Sequence, residues 1–122
     1  MSVGAIKASR VLQASATNSA GGTTTGSAVD IRTALGILVT GKVVNGGTGP
    51  TAGCEFVVQV SGDGSDWREY SRQRAGTTAS ATYEFVVEIG PMAMYVRSVF
   101  TGNTGQSVTV EAKGQELSGI GG

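Results

Sequence analysis

Alternation of apolar and polar residues at a period of two constrains this chain more than any other feature. Cys54, Phe56, Val58 and Val60 alternate with Glu55, Val57, Gln59 and Ser61, and Tyr83, Phe85, Val87 and Ile89 alternate with Glu84, Val86 and Glu88. Val108, Val110 and Ala112 alternate with Ser107, Thr109, Glu111 and Lys113, while Val29 and Ile31 alternate with Asp30 and Arg32. Side chains on a strand point to opposite faces in turn, so each run reads as a half-buried antiparallel strand. Val58, Val60, Phe85, Val87, Val108 and Val110 are the expected core.

The run at residues 35–44 could carry a helical stripe through Leu35, Leu38 and Val39, but Gly36, Thr40, Gly41, Val43 and Val44 all oppose a helix. It is read as a long strand bent at Gly41. Less regular strands at residues 8–16, 67–74 and 92–100 bring the total to about eight. Between them lie the connections SAGGTTTGS, NGGTGPTAG, SGDGSD, AGTTAS and TGNTG, built from residues that accept positive φ or bond their own backbone. Short strands spaced by such turns, with no segment left to make a helical crossover, predict an all-β fold: an antiparallel β-sandwich or jelly roll. The domain is expected over residues 8–114, with a flexible arm at residues 1–7 and a flexible tail at residues 115–122, both weakly patterned.

Composition narrows the chemistry. A chain of 122 residues supports one core. It contains no histidine, so neither histidine acid–base catalysis nor histidine metal ligation is available. Nine Lys and Arg balance nine Asp and Glu, which provides no broad basic field for nucleic acid or an acidic membrane surface. No apolar run approaches a membrane span or the core of a signal peptide. The single cysteine, Cys54, opens a strand and is expected to be a buried free thiol.

Several motifs invite a chemical reading and fail it. Gly47, Gly49 and Ala52 fit a dinucleotide fingerprint, but the phosphate site needs a helix N-terminus directly afterwards, and here Pro50 and a strand follow. Asp63 and Asp66 suggest a calcium loop, yet calcium wants six to eight oxygens in a set pattern, and Ser65 and Trp67 stand where ligands would be needed. Asp63-Gly64 is better read as a hairpin turn. No Ser-x-x-Lys pair exists, and the carboxylates are scattered singly, so no enzyme activity and no cofactor are expected.

Basic residues gather once, in WREYSRQR. At a period of two, Arg68, Tyr70, Arg72 and Arg74 share one face and Trp67 occupies the other, where it is expected in the core. Such a face could bind an anionic or sugar partner; pairing of its arginines with glutamates on a neighbouring strand is the commoner arrangement.

Across residues 56–105, the run VQVSGDGSDW, followed by YVR at Tyr95–Arg97 and a strand ending in TGNTG, resembles the small β-sandwich modules of tailed-bacteriophage virion proteins. The short, neutral, Gly/Ser/Thr/Ala/Val-rich chain is most similar to head decoration, or cement, proteins. The resemblance implies a homo-oligomer that folds in the host cytoplasm, binds the major capsid protein and sits on the virion exterior. The same pattern also occurs in carbohydrate-binding modules, so a glycan- or receptor-binding module of a phage tail, stacking a sugar on Tyr70 or Trp67, is the alternative. For attachment, two surfaces are expected to act: the N-terminal arm with Val3, Ile6 and Arg10, adding a strand to a capsid sheet, and the face carrying Arg68, Tyr70, Arg72 and Arg74.

Overall fold

The computed structural model describes residues 4–121, with side chains described over residues 6–117. Nine strands follow in order: β1 (Gly4–Asn18), β2 (Thr23–Thr25), β3 (Val29–Asp30), β4 (Ile37–Asn45), β5 (Glu55–Ser61), β6 (Trp67–Arg74), β7 (Thr82–Ile89), β8 (Tyr95–Thr101) and β9 (Val108–Gly121). No helix occurs among the described residues. Sheet I has the order β1-β9-β4-β7; sheet II has the order β2-β8-β5-β6, with β3 also on β8. Every pairing is antiparallel. The all-β sandwich expected from the alternation is therefore the fold.

Alternation places Ile37, Val39 and Val43 of β4, Val87 and Ile89 of β7, and Val108, Val110 and Ala112 of β9 against Phe56 and Val58 of β5 and Val96 and Phe100 of β8. Phe56 stands at the centre, its ring 5.8 Å from that of Phe85 on the opposite sheet and 5.2 Å from that of Phe100 on its own. Val60 and Phe85, expected inside, are only partly buried against this core. Gly41 continues β4 without a break in its register. A Cβ there would stand 2.7 Å from the Phe56 ring, so the glycine makes room for that ring. Gly49 has a comparable cause: a Cβ would fall 1.9 Å from the Thr77 carbonyl oxygen, because the two loops pass in close contact. The glycine that suggested a nucleotide site thus serves loop packing.

Two expectations are revised. The TTT of the first glycine-rich connection is strand β2 on β8. The strand expected from residue 92 begins at Tyr95, leaving Met92 and Met94 exposed. Within the segments expected as an arm (residues 1–7) and a tail (residues 115–122), β1 starts at Gly4 and β9 runs to Gly121, with Gly4 paired to Gly121, Ile6 to Gly119 and Lys7 to Leu117. The two segments supply each other's ladder across more than a hundred residues of chain, a partnership that local periodicity does not reveal. Val3 lies outside the described residues.

Candidate functional site

Two broad surfaces remain once the core is assigned, the outer faces of the two sheets. On sheet II the residues directly opposite one another are Tyr95, Ser61 and Trp67; then Arg97, Gln59 and Glu69; then Val99, Val57 and Arg72; then Thr101, Glu55 and Arg74. A bulge explains why this differs from the simple alternation expected for WREYSRQR. Val58 pairs with Ser71 but Gln59 with Glu69, so Tyr70 is the extra residue and the phase of β6 inverts across it. Arg72 and Arg74 consequently share the outer face with Trp67 and Glu69. Arg68, opposite Val60, and Tyr70 turn to the other side, where the Tyr70 hydroxyl donates to the Glu88 carbonyl of sheet I at 3.1 Å. The four residues do not form one patch, and Trp67 is a half-exposed outer residue rather than part of the core.

The arginines of this face are occupied by its own acceptors. Glu55, with its side chain only 13% exposed, takes hydrogen bonds from both Arg72 and Arg74, and Arg72 also donates to Glu69 at 2.7 and 2.9 Å. The Arg72 hydrogen bond is the main reason the Glu55 carboxyl is held below its usual range, and burial opposes it. Glu69 and Glu55 in turn raise the Arg72 guanidinium above its ordinary value. Arg97 donates to Gln59 at 2.7 Å and lies over the Trp67 ring, 4.2 Å from its centroid. At the same end Arg32 lies over Tyr95 and grips Asp30, whose carboxyl is lowered to about 2 chiefly by that side-chain hydrogen bond. Val57, beneath these long side chains, is 1% exposed although it faces outward. The sequence offers Glu55, Gln59 and Glu69 as no site residues and Arg97 only within the YVR motif; the alternation of β5 places Glu55 and Gln59 outward, but only the register shows which cations they meet.

Sheet I presents a different outer face. Its rows read Ser9, Gln115, Leu38 and Glu88, then Val11, Lys113, Thr40 and Val86, then Glu111, Lys42 and Glu84. Val11, Val86 and Leu38 are exposed here, with Leu35 at the rim. The charges are three lysines (Lys7, Lys42, Lys113) against three glutamates (Glu84, Glu88, Glu111), and among the described residues they form one loose ion pair, Lys113 to Glu111 at 3.6 Å. Leu35, Leu38, Pro91 and Leu117 line an open groove with Lys7 and Glu88 on its walls. Of the residues expected in the attachment arm, Ile6 is exposed on β1, whereas Arg10 is bound to the buried Glu116 at 2.7 Å.

The remaining candidates are structural. The Asp63 carboxylate accepts from the backbone N–H groups of Asp66 and Ser65 and meets the Ser61 hydroxyl, bonds that lower its pKa and shape the β5–β6 turn. Among the described residues no cluster of three or more His, Cys, Asp or Glu could hold a metal ion. Cys54 is buried and free, and desolvation pushes its thiol up to about 11, which leaves it protonated and unreactive at neutral pH.

No protein-family model matches the chain, and no curated protein matches it in sequence. Solved structures do share its fold. The PBSX exported protein XepA superposes with a TM-score of 0.64 at 13% identity, over 92% of this chain and 37% of that one. The infectious bursal disease virus VP2 subviral particle gives 0.56 at 13% identity, over 93% and 33%. The K1 cleaved adhesin domain of Lys-gingipain from Porphyromonas gingivalis W83 gives 0.56 at 12% identity, over 80% and 63%. This chain spans about a third of the first two and under two thirds of the third. At such identities the likeness is one of architecture: the chain is an all-β sandwich of a kind found in a virus particle and in a bacterial adhesin alike.

Proposed function

We propose that this protein is a non-enzymatic virion structural protein of a tailed bacteriophage, a head decoration protein that docks on the major capsid protein lattice from outside. The observation that carries this reading is the asymmetry of the two outer faces. Sheet II closes its arginines on its own glutamates and aromatic rings. Sheet I leaves Leu38, Val11 and Val86 exposed among loosely held charges of both signs. Exposed apolar residues among unpaired charges are what a protein-docking surface needs, because burial supplies affinity and the surrounding charges set the register. The sequence resemblance over residues 56–105 and the sandwich shared with a viral particle support the same reading.

The work of such a protein is linkage. A protein that binds only the assembled lattice stabilises it by the free energy of binding, about 2.7 kcal/mol per site at a hundredfold excess over Kd. Identical sites repeated over a shell add these contributions. Mixing the purified protein with expanded capsids that lack it tests the reading. Saturable binding is expected, in many copies per particle, abolished by Leu38→Asp and kept by Arg72→Ala with Arg74→Ala. Absence of binding, or a few copies confined to the tail, overturns it. A tail module that stacks sugars on Trp67 would instead bind glycans, and Arg97 already covers one face of that ring.

A further inference from the structure

A sandwich of two open sheets has four edges, and an uncovered regular edge is a template for another strand. Three of the four are blunted here. On sheet II, β2 and β3 are very short, and β6 carries the bulge at Tyr70 with Arg68 turned inward. On sheet I, the register of β1 on β9 shifts at three places, and the Ser27 N–H donates to the Leu12 carbonyl across its flank. The fourth edge, β7, pairs with β4 through eight residues from Thr82 to Ile89 without a shift, and its sequence TYEFVVEI holds no proline, glycine or lysine.

The direction of its backbone groups follows from two hydrogen bonds. Asn45 N–H donates to the Ala81 carbonyl, so the odd-numbered residues of this segment turn toward β4. The Glu88 carbonyl instead accepts from Tyr70, so the even-numbered residues turn outward. Thr82, Glu84 and Val86 therefore present their N–H and C=O groups at the free edge, while Tyr70 caps the end at Glu88. Val86 is 61% exposed and Phe85 is half-buried beside it.

We propose that β7 pairs with β7 of a second copy of this chain, antiparallel about a two-fold axis at Phe85, joining two copies of sheet I into one continuous sheet. The charges select this register. An axis at Glu84 would set that carboxylate against its own copy, and an axis at Val86 would set Glu84 against Glu88 of the second copy. An axis at Phe85 places Glu84 opposite Val86 on each side, each pair exchanging two main-chain hydrogen bonds, and brings the two half-buried Phe85 rings together. Pairing stops where Tyr70 holds Glu88. The inference stands on the edge alone and survives if the capsid reading fails.

Sedimentation velocity of the full chain, up to high-micromolar concentration, tests it. The wild-type chain is expected to dimerise. The Val86 N–H faces away from β4, so Val86→Pro leaves the internal ladder intact, keeps the β-sheet circular dichroism and yields a monomer. Val86→Glu sets two carboxylates opposite each other on each side of the axis and should raise the dissociation constant about tenfold. Val86→Lys faces Glu84 of the second copy and should retain the dimer with a new dependence on salt. If Val86→Pro does not fold, the order of the Lys and Glu variants decides. A wild-type chain that stays monomeric, or Lys and Glu variants that behave alike, overturns the proposal.

Discussion

The outer faces of the two sheets are built on the same alternation and end in opposite states. Both strand sets put polar residues outward, yet sheet II uses arginine and sheet I uses lysine. All three lysines lie on sheet I (Lys7, Lys42, Lys113), and Arg72, Arg74 and Arg97 lie on sheet II. A guanidinium donates in several directions and stacks on rings, so Arg72 joins Glu55 to Glu69, and Arg97 joins Gln59 to Trp67. An ammonium on a flexible stem holds no such geometry. The comparison teaches that the face with the paired charges is the less available one: its cations are held by neighbours within the chain, and the other face is left with loosely held charges and exposed apolar residues.

The largest expected effect tests what the two faces share. Phe56→Ala should cost about 3–5 kcal/mol, as large-to-small changes of buried aromatic residues do, and loosen both sheets at once. Phe85→Ala should cost less, because that ring is half-exposed; urea titration of both variants checks the ranking, and equal losses would mean that Phe56 does not join the sheets.

Glu55 tests the closure of sheet II. Glu55→Gln should lose on the order of 1 kcal/mol at neutral pH, a modest figure because both arginines are about half exposed to solvent. Its pH dependence has a definite sign. The folded carboxyl titrates below its ordinary value, so its contribution is complete above the unfolded pKa and disappears as the pH falls through the folded one. The wild-type chain should lose more stability than Glu55→Gln between pH 6 and pH 3; parallel curves would show that the pairs contribute nothing.

Arg97→Ala should cost about 0.5–1 kcal/mol through its contact with Trp67. Because Trp67 is the only tryptophan, its emission should change on that substitution and stay as in the wild type for Arg68→Ala. The smallest effect belongs to sheet I, where Leu38→Ser should alter stability by no more than about 0.5 kcal/mol. A larger loss would mean that Leu38 serves the fold, which would weaken its assignment as a docking residue.

The site was less legible in the sequence than the fold, for a reason visible in β6. Extrapolating period two from Arg74 back to Arg68 fails at Tyr70, where one inserted residue moves Arg68 and Tyr70 off the face that holds Arg72 and Arg74. A bulge depends on the partner strand, and no residue of WREYSRQR announces it. The same limit hid the pairing of residues 4–7 with the end of β9, since weakly patterned segments acquire their strand character from each other. The expectation that arginines would meet glutamates across strands was sound in kind, and the register identified Glu55 as the acceptor that two of them share.

Alternation in the sequence by itself determined the all-β sandwich, the inward valines of β5, β7 and β9, the burial of Cys54 and the turn at Asp63. These are local properties, because a strand's two faces and a turn's backbone demands are set by neighbours within a few residues. Tertiary structure alone decided which charges are paired, which ring lies under which cation, that Gly41 yields its space to Phe56, and that β7 is the one regular edge left uncovered among the described residues. Each of those is a relation between strands distant in sequence, fixed by register and bulges, and no window of the chain contains both partners.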